Sequence, residues 1–199
     1  CGIHAGNPVI MKKTLISARS NGVTVGAHPS YPDRDGFGRR SMELPVEELI
    51  AVVQYQIAAL QGMAKNLGVQ VRYVKPHGAL YNDMMAAPRI RKAVMQAISE
   101  NCETLEFMLQ ATPFADEHKK EADLFGLDVI FEAFADRCYD DKGALVARTE
   151  HDAVHNREKM LTQVKQLVEH GTVTTRSGKC IELLADSICV HGDNVAAIE

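Results

Sequence analysis

The sequence lacks the segments that would place it in a membrane, on nucleic acid or outside the cell. None of its apolar runs approaches the roughly 18 residues that cross a bilayer, and nothing at its start resembles a signal peptide. Its 22 lysines and arginines are outnumbered by 26 aspartates and glutamates, so its formal charge of −4 gives no attraction to nucleic acid or to an anionic membrane. We therefore expect a cytoplasmic protein that binds small molecules or other proteins, and we leave a homo-oligomer open.

Cofactor and nucleophile motifs are also missing. The five cysteines include no Cys-x-x-Cys pair, which argues against a disulfide framework and against a zinc knuckle, so we expect buried free thiols. The phosphate-binding patterns GxGxxG and GxxxxGK[ST] do not occur, and Gly36-Phe-Gly38-Arg-Arg40 matches neither of them. The nucleophile elbow GxSxG is absent as well. The sequence therefore predicts neither a nucleotide site nor a serine nucleophile of its own.

Short apolar strands that end in polar residues are what the sequence does contain. They are the opening segment Cys1–Gly6, Val23–Ala27 before His28, Val69–Val74 before Lys75, Val129–Ala135 before Asp136, and Ser187–Val190 before His191. Helix-like segments separate them, which is the order of a parallel α/β fold, where loops at the carboxyl edge of the sheet build the active site. The 199 residues are most simply one domain spanning residues 1–199.

The remaining elements follow from periodicity and from capping residues. The predicted helices are Asn7–Ala18, Pro45–Leu67, Pro88–Ser99, Pro113–Phe125 and Arg157–His170, with a further strand at Leu105–Leu109. We predict loops over His28–Arg40 and from Lys75 through Asn82 because both are rich in glycine or proline or polar residues. Val173–Leu183 is predicted to form a β-hairpin around Ser177-Gly178-Lys179.

Four of the eight histidines follow strand-like segments beside glycine or proline, namely His4, His28, His77 and His191. If the strands are parallel, all four converge on one rim, where imidazoles can relay protons or, when neutral, bind a transition metal. The other histidines lie in polar helices or loops and are expected to be structural: His118, His151, His155 and His170.

Charged residues accompany these histidines. Lys75, just before Pro76-His77, can provide a cation for a carboxylate or an oxyanion, although a surface lysine is the ordinary alternative. Asp136 and Arg137 offer a carboxylate and a guanidinium, and the alternative is a mutual surface pair of little energetic value. Asp193 can orient the imidazole of His191.

Long segments around these residues match a known family. They are Cys1–Gly6, Gly26–Asp33 with Gly36–Arg40, Val74–Asn82, Phe134–Arg137 and Ile188–Asn194. In these segments the sequence resembles the LamB/YcsF family. The resemblance implies an irregular (β/α) barrel of the glycoside hydrolase/deacetylase type with parallel strands. It also implies a role, together with B and C subunits, in the ATP-dependent opening of the lactam 5-oxo-L-proline to L-glutamate.

Two departures from the family pattern affect this expectation. The first strand of the family, with its Asn-Cys-Asp segment, is missing, so we expect a chain that is incomplete at its N-terminus. Position 7 is Asn where many relatives have Asp, and residues 100–125 match the pattern only loosely. Because the missing carboxylates are candidate catalytic or metal-binding groups, we expect this chain to lack activity by itself.

Three interpretations of the function stay open. In the first, the chain binds the lactam or its phosphorylated form, and ATP is a co-substrate of the complex. Its candidate catalytic residues are His77, Lys75, His28, His4, Asp136, His191 and Asp193, and its candidate substrate-binding residues are Arg137, Arg148, Tyr81 and Asn82. The second is a metal-dependent amide or ester hydrolase, in which His4 and His28, or His77, hold a divalent metal. The third is a lactam- or carbohydrate-binding subunit without catalysis.

Overall fold

The computed structural model describes residues 1–101 and 104–191. Within these residues the helices are α1 Pro8–Ser20, α2 Val46–Lys65, α3 Gly78–Ala86, α4 Pro88–Ser99, α5 Ala115–Asp123 and α6 Arg157–His170. The strands are β1 Val25–Ala27, β2 Val71–Val74, β3 Glu106–Gln110, β4 Val129–Phe134, β5 Thr172–Thr174, β6 Cys180–Glu182 and β7 Ser187–Cys189. Most predicted elements therefore occur within a few residues of their expected bounds, but the opening segment Cys1–Gly6 is irregular rather than a strand.

The strands form a parallel sheet and a separate hairpin. Five strands pair in the order β1-β2-β3-β4-β7, and the pairings of β1 with β2, β2 with β3 and β4 with β7 are parallel. β5 and β6 pair antiparallel, as the predicted hairpin requires. The prediction of an α/β fold with parallel strands is confirmed.

Contacts along the chain divide it into two compact units. The first comprises Cys1–Met108 and Glu121–Val129, and the second comprises Leu109–Lys120 and Ile130–Glu199. The expectation of a single domain stays a prediction. In the first unit, α2, β2 and α4 bury apolar side chains completely, among them Val53, Ile57, Val74 and Val94. Each such side chain stabilises the fold by roughly 1.5–3 kcal/mol relative to an exposed position.

The ends of β1 and β2 lie level, and their pairing continues past the strands. Ala27 pairs with Val74, and the amide of Lys75 then donates to the carbonyl oxygen of Ala27 over 2.8 Å. Two residues later, the amide of His77 donates to the carbonyl of Pro29, also over 2.8 Å. This register brings the residues that follow the two strands side by side at one edge of the sheet.

Helix α3 corrects one prediction. The segment through Asn82 was expected to be a loop, but the helix begins at Gly78, with His77 in extended conformation as its N-cap residue. Ala79, Leu80 and Met84 are buried on its inner face. Their helical spacing was the available signal, and it was outweighed by the Pro-His-Gly sequence, which usually indicates a turn.

Gly78 allows this helix to begin directly beside the 33–40 loop. Its φ is +59°, and a Cβ atom there would lie 2.3 Å from the carbonyl oxygen of Gly38, which accepts a hydrogen bond from the amide of Ala79. We expect Gly78→Ala to lower the free energy of unfolding by roughly 1–2 kcal/mol from the left-handed backbone and by roughly another 1–3 kcal/mol from the clash.

Gly68→Ala is the matched control for this substitution. Gly68 has nearly the same φ, +66°, but nothing lies within 4 Å of its added Cβ, so only the backbone strain applies. Denaturant unfolding of both variants measures the difference. Equal losses of stability would show that the close approach of Gly78 to Gly38 does not constrain the fold.

Candidate functional site

Three of the four strand-end histidines lie together in the first unit. His4 precedes α1 and is buried, His28 follows β1, and His77 follows β2. The rings of His4 and His77 are stacked with centroids 3.9 Å apart and planes 6° apart, and the ring of His28 meets that of His77 edge-on at 4.8 Å. One nitrogen from each ring lies within 4.8 Å of the others. We call these residues the trihistidine cluster.

Backbone carbonyls fix the protonated nitrogens of two of the rings. Nδ1 of His28 lies 2.5 Å from the carbonyl oxygen of Lys75, and Nε2 of His77 lies 2.8 Å from that of Phe37. Because a carbonyl oxygen can only accept, each of these nitrogens carries the hydrogen. In the neutral rings, Nε2 of His28 and Nδ1 of His77 therefore carry lone pairs, and these two nitrogens face each other over 3.0 Å.

A hydroxyl group fixes the tautomer of the third ring. Nδ1 of His4 lies 2.9 Å from Oγ of Ser30, whose hydroxyl hydrogen is donated to the carbonyl oxygen of Tyr31. The hydroxyl oxygen therefore accepts from Nδ1 of His4, which leaves the lone pair of that ring on Nε2. Ser30 is itself held by hydrogen bonds with the side chain of Gln56, so its orientation is fixed by the core.

Burial keeps two of these imidazoles uncharged. Desolvation, and then repulsion by His77, lowers the pKa of His4 from 6.5 to about 3. The same two causes lower the pKa of His28 to about 3, and the ammonium of Lys75 lowers it further, although the hydrogen bond to the Lys75 carbonyl acts in the opposite direction. Both rings are therefore neutral at pH 7 and can offer a lone pair.

The loop from Asp33 to Arg40 forms one wall of the cluster. The ring of Phe37 contacts His4 and His77 edge-on, with centroids 5.5 and 5.2 Å away, and its φ of +55° is unusual for a bulky residue. Gly38 makes room for the cluster, since a Cβ atom there would lie 2.9 Å from the His77 ring. Sequence reasoning did not assign Phe37 to the site, although its position between two glycines was a signal.

Asp33 closes this loop. Its carboxylate accepts hydrogen bonds from the amides of Gly36 and Arg40, over 3.0 and 3.2 Å, and pairs with the Arg40 guanidinium. The guanidinium, followed by the amide of Gly36, lowers the pKa of Asp33 from 3.8 to about 2 against the effect of burial. The ionised carboxylate of Asp33 thus joins Gly36 to Arg40 across the loop that carries Phe37.

The hydrogen bonds and the ion pair of the Asp33 carboxylate are expected to be lost in acid, within a defined pH range. Because the folded-state pKa of Asp33 lies below its unfolded value, its contribution to stability is fully present above about pH 4 and is lost as the pH falls towards about 2. We expect Asp33→Asn to lower the melting temperature at pH 5 and the difference from wild type to shrink steadily below pH 4. Thermal melts from pH 5 downwards measure this, and a pH-independent difference would contradict it.

A second constellation lies in the second unit. Both carboxylate oxygens of Asp136, which is completely buried, lie 2.9 and 3.1 Å from Nδ1 of His191. The ring of Phe134 stacks on the imidazole at 5.5 Å. Nδ1 therefore donates to the carboxylate, so that in the neutral ring the lone pair lies on Nε2, as in histidines oriented for proton transfer. Asp193, the partner expected for His191, lies outside the described residues.

A cleft of about 640 Å³ also lies in the second unit, beside α6. Its lining includes His155, Gln163 and Arg176. The Gln163 amide donates to three backbone carbonyls, so its oxygen accepts from Nε2 of His155 over 3.2 Å. Nδ1 of His155 is buried without a hydrogen-bond partner in the described part of the chain. The cleft was not predicted, since His155 was expected to be only structural.

Comparison with known proteins assigns the sequence to a family. The LamB/YcsF family model matches residues 1–199, the full length of the chain. The chain belongs to the LamB/YcsF family. This confirms the resemblance drawn from the strand-end motifs.

Two relatives of this LamB/YcsF protein carry the same name, and a third has a solved structure. A protein from Pseudomonas fluorescens Pf0-1, named as the A subunit of 5-oxoprolinase, is 45% identical over 199 residues, which cover all of this chain and 80% of that protein. One with the same name from Vibrio cholerae O395 is 44% identical with the same coverage. The crystal structure of the lactam utilization protein from Thermus thermophilus has a TM-score of 0.87 at 35% identity, covering 96% of this chain and 76% of that one. This structure supports the predicted fold of the (β/α)-barrel type.

Two of the predicted substrate-binding residues, Arg137 and Arg148, lie outside the trihistidine cluster, in the second unit. Arg137 is buried, and its guanidinium donates to the carbonyls of Val146 and Ala153, so it fits holding the 138–155 segment better than binding a substrate. Arg148 lies half-buried in the same segment. Their roles in substrate binding stay predictions.

The two predicted substrate-binding residues on α3 also differ from each other in burial. Tyr81 is buried and Asn82 is exposed. Consecutive residues of a helix point about 100° apart, so these side chains do not face one pocket. Both were candidate substrate-binding residues, on a segment that was expected to be a loop.

The described helices and cysteines agree with two expectations from composition. None of these helices combines the length and the apolar character that crossing a bilayer needs. The four cysteines of the described residues, Cys1, Cys138, Cys180 and Cys189, carry thiols rather than disulfides, as expected. Only Cys138 is buried, so the expectation that the thiols are buried is wrong for the other three.

Proposed function

We propose that this LamB/YcsF protein acts as the A subunit of a 5-oxoprolinase, which opens 5-oxo-L-proline to L-glutamate with hydrolysis of ATP. The observation that carries the proposal is identity of 43–46% over the whole chain to several proteins named as A subunits of 5-oxoprolinase. Such a name implies a complex with other subunits, so the proposal includes B and C subunits as partners.

ATP solves a chemical problem in this reaction. A five-membered lactam is opened slowly by water because its amine is a poor leaving group. Transfer of the γ-phosphoryl group to the amide oxygen releases ADP and makes the ring carbon electrophilic. Water then adds to that carbon, the ring nitrogen takes a proton and leaves, and a second water converts the acyl phosphate to carboxylate and phosphate. Since the sequence has no phosphate-binding loop, we assign ATP binding to a partner and the lactam or its phosphorylated form to this chain.

The trihistidine cluster supplies groups for these proton movements. His77 and His28 present lone pairs that can take a proton from the attacking water and pass one to the departing nitrogen. The ammonium of Lys75, close enough to lower the pKa of His28, stabilises negative charge on the lactam oxygen or on its phosphate. In the second unit, the pair of Asp136 and His191 is a further candidate acid–base group.

Reconstitution with partner subunits tests the proposed function. We expect the isolated chain, mixed with ATP and 5-oxo-L-proline, to release no glutamate. Addition of B and C subunits from a related bacterium should give glutamate and ADP in equal amounts, and omission of this chain should abolish both. Substantial turnover by the isolated chain would contradict the multi-subunit interpretation, and a lack of turnover by the full, stably assembled mixture would contradict the assignment itself.

Metal-dependent hydrolysis of an amide or ester is a second candidate, favoured by the three imidazoles of the cluster. His4, His28 and His77 would hold the ion, which as a Lewis acid would polarise a carbonyl group. Unlike ATP-dependent opening of the lactam, metal-dependent hydrolysis needs neither ATP nor partner subunits. Hydrolysis of amides or esters by the isolated chain without ATP would favour it.

A further inference from the structure

We infer that the trihistidine cluster binds one transition-metal ion of the zinc, cobalt, nickel or copper class. The inference does not rest on the assignment to 5-oxoprolinase, but an ion bound to the lone pairs of His28 and His77 would replace the proton transfer proposed for these two rings.

Two facing nitrogens are the first observation. Nε2 of His28 and Nδ1 of His77 lie 3.0 Å apart, and the other nitrogen of each ring already donates to a carbonyl oxygen. A single cation between or beside the two facing nitrogens, either a shared proton or a metal ion, satisfies both of them.

Fixed outer hydrogen bonds are the second observation. Each ring donates its remaining N–H to a backbone carbonyl or, in His4, to the Ser30 hydroxyl. Histidine ligands of metals are held in this way, since the outer acceptor sets the tautomer and makes the other nitrogen a better ligand. Proton transfer by one histidine would require only one ring to be held in this way, whereas here all three are.

Distances fit an ion held first by two of the rings. With metal–nitrogen bonds of about 2.0–2.1 Å, two ligands of a tetrahedral ion lie about 3.3–3.4 Å apart. The facing nitrogens of His28 and His77, 3.0 Å apart, need to separate by only about 0.3 Å to reach that distance. The rings of His28 and His77 are inclined by 73°, so one point can lie in both ring planes. The stacked rings of His4 and His77 are nearly parallel, so His4 joins as the third ligand only when its ring turns.

The donor set indicates the class of ion. Among the described residues, the potential ligands of this group are three imidazoles, without a carboxylate. Magnesium and calcium prefer oxygen ligands, whereas zinc, cobalt, nickel and copper bind imidazole well.

Metal titration of the untagged, metal-stripped chain tests the inference. We expect cobalt and zinc each to bind at one ion per chain in calorimetry, cobalt to give a visible absorption band, and zinc to raise the melting temperature. Magnesium should do none of these. His28→Gln and His77→Gln should each weaken zinc binding by about 100-fold or more.

His151→Gln is the matched control, because the His151 side chain is 90% exposed, and it should bind like wild type. Melting of each metal-free variant shows whether it folds. If the folded wild type binds no ion, the two facing nitrogens share a proton instead and the inference is wrong. Binding that survives in the folded double variant His28→Gln/His77→Gln would also overturn it. Since no activity is measured, either result leaves the assignment as a 5-oxoprolinase A subunit to its own test, whereas metal binding would replace the proton transfer proposed for His28 and His77.

Discussion

Replacing His77 by alanine is expected to lower kcat for glutamate release by the complete enzyme about 10²-fold or more, the usual effect of losing an acid–base group. His77 contacts both other members of the trihistidine cluster, and its Nδ1 faces Nε2 of His28 over 3.0 Å. Its removal therefore takes away one proton-accepting nitrogen and also leaves the His28 lone pair without its neighbour. Glutamate release at saturating 5-oxo-L-proline and ATP is the measurement.

His170→Ala is the control for this substitution. His170 ends α6, and its side chain is 67% exposed, so its loss should leave the rate unchanged. The melting temperature of each variant and its assembly with the partner subunits separate catalysis from folding. A folded, assembled His77→Ala enzyme with a rate within a factor of about two of wild type would return His77 to a structural role.

Replacing Lys75 by methionine is expected to be comparably damaging. Methionine keeps much of the length of the side chain but removes the charge that lowers the pKa of His28. One electrostatic donor to developing charge is typically worth roughly 3 kcal/mol of transition-state stabilisation, which is about 10²-fold in rate. The outcome is read from kcat and KM separately.

The two kinetic constants distinguish two roles of Lys75. If its ammonium stabilises charge that develops during the reaction, kcat falls and KM changes little; if it holds the substrate carboxylate throughout, KM rises instead. Lys65→Met, at an exposed position of α2, is the matched control. A folded Lys75→Met enzyme with both constants unchanged would exclude Lys75 from the site.

The strands and the strand-end histidines could be predicted because they depend on local signals. Apolar runs such as Val69–Val74 stop at polar residues, and parallel pairing then brings their ends together without any knowledge of register. His28 and His77 meet for this reason. Helix α3 was missed because the local signal at Gly78 pointed to a turn, while the helix depends on tertiary contact with Gly38.

The partner of His191 could not be read from the sequence because it depends on register. Asp193 is near in sequence, but β4 and β7 pair with Phe134 opposite Cys189, which puts Asp136 level with His191 two residues beyond. The tautomers of the trihistidine cluster are likewise set by carbonyls from other segments, such as that of Phe37. No pattern of residue types indicates which carbonyl an imidazole will meet.

We propose that 5-oxo-L-proline binds at the trihistidine cluster of this LamB/YcsF protein, and a crystal structure of the protein with the lactam shows whether it does. We expect the lactam in contact with His77 and within reach of the Lys75 ammonium, beside the wall formed by Phe37. Ordered 5-oxo-L-proline in the cleft lined by His155 and Arg176, with none at the cluster, would show that this proposal is wrong.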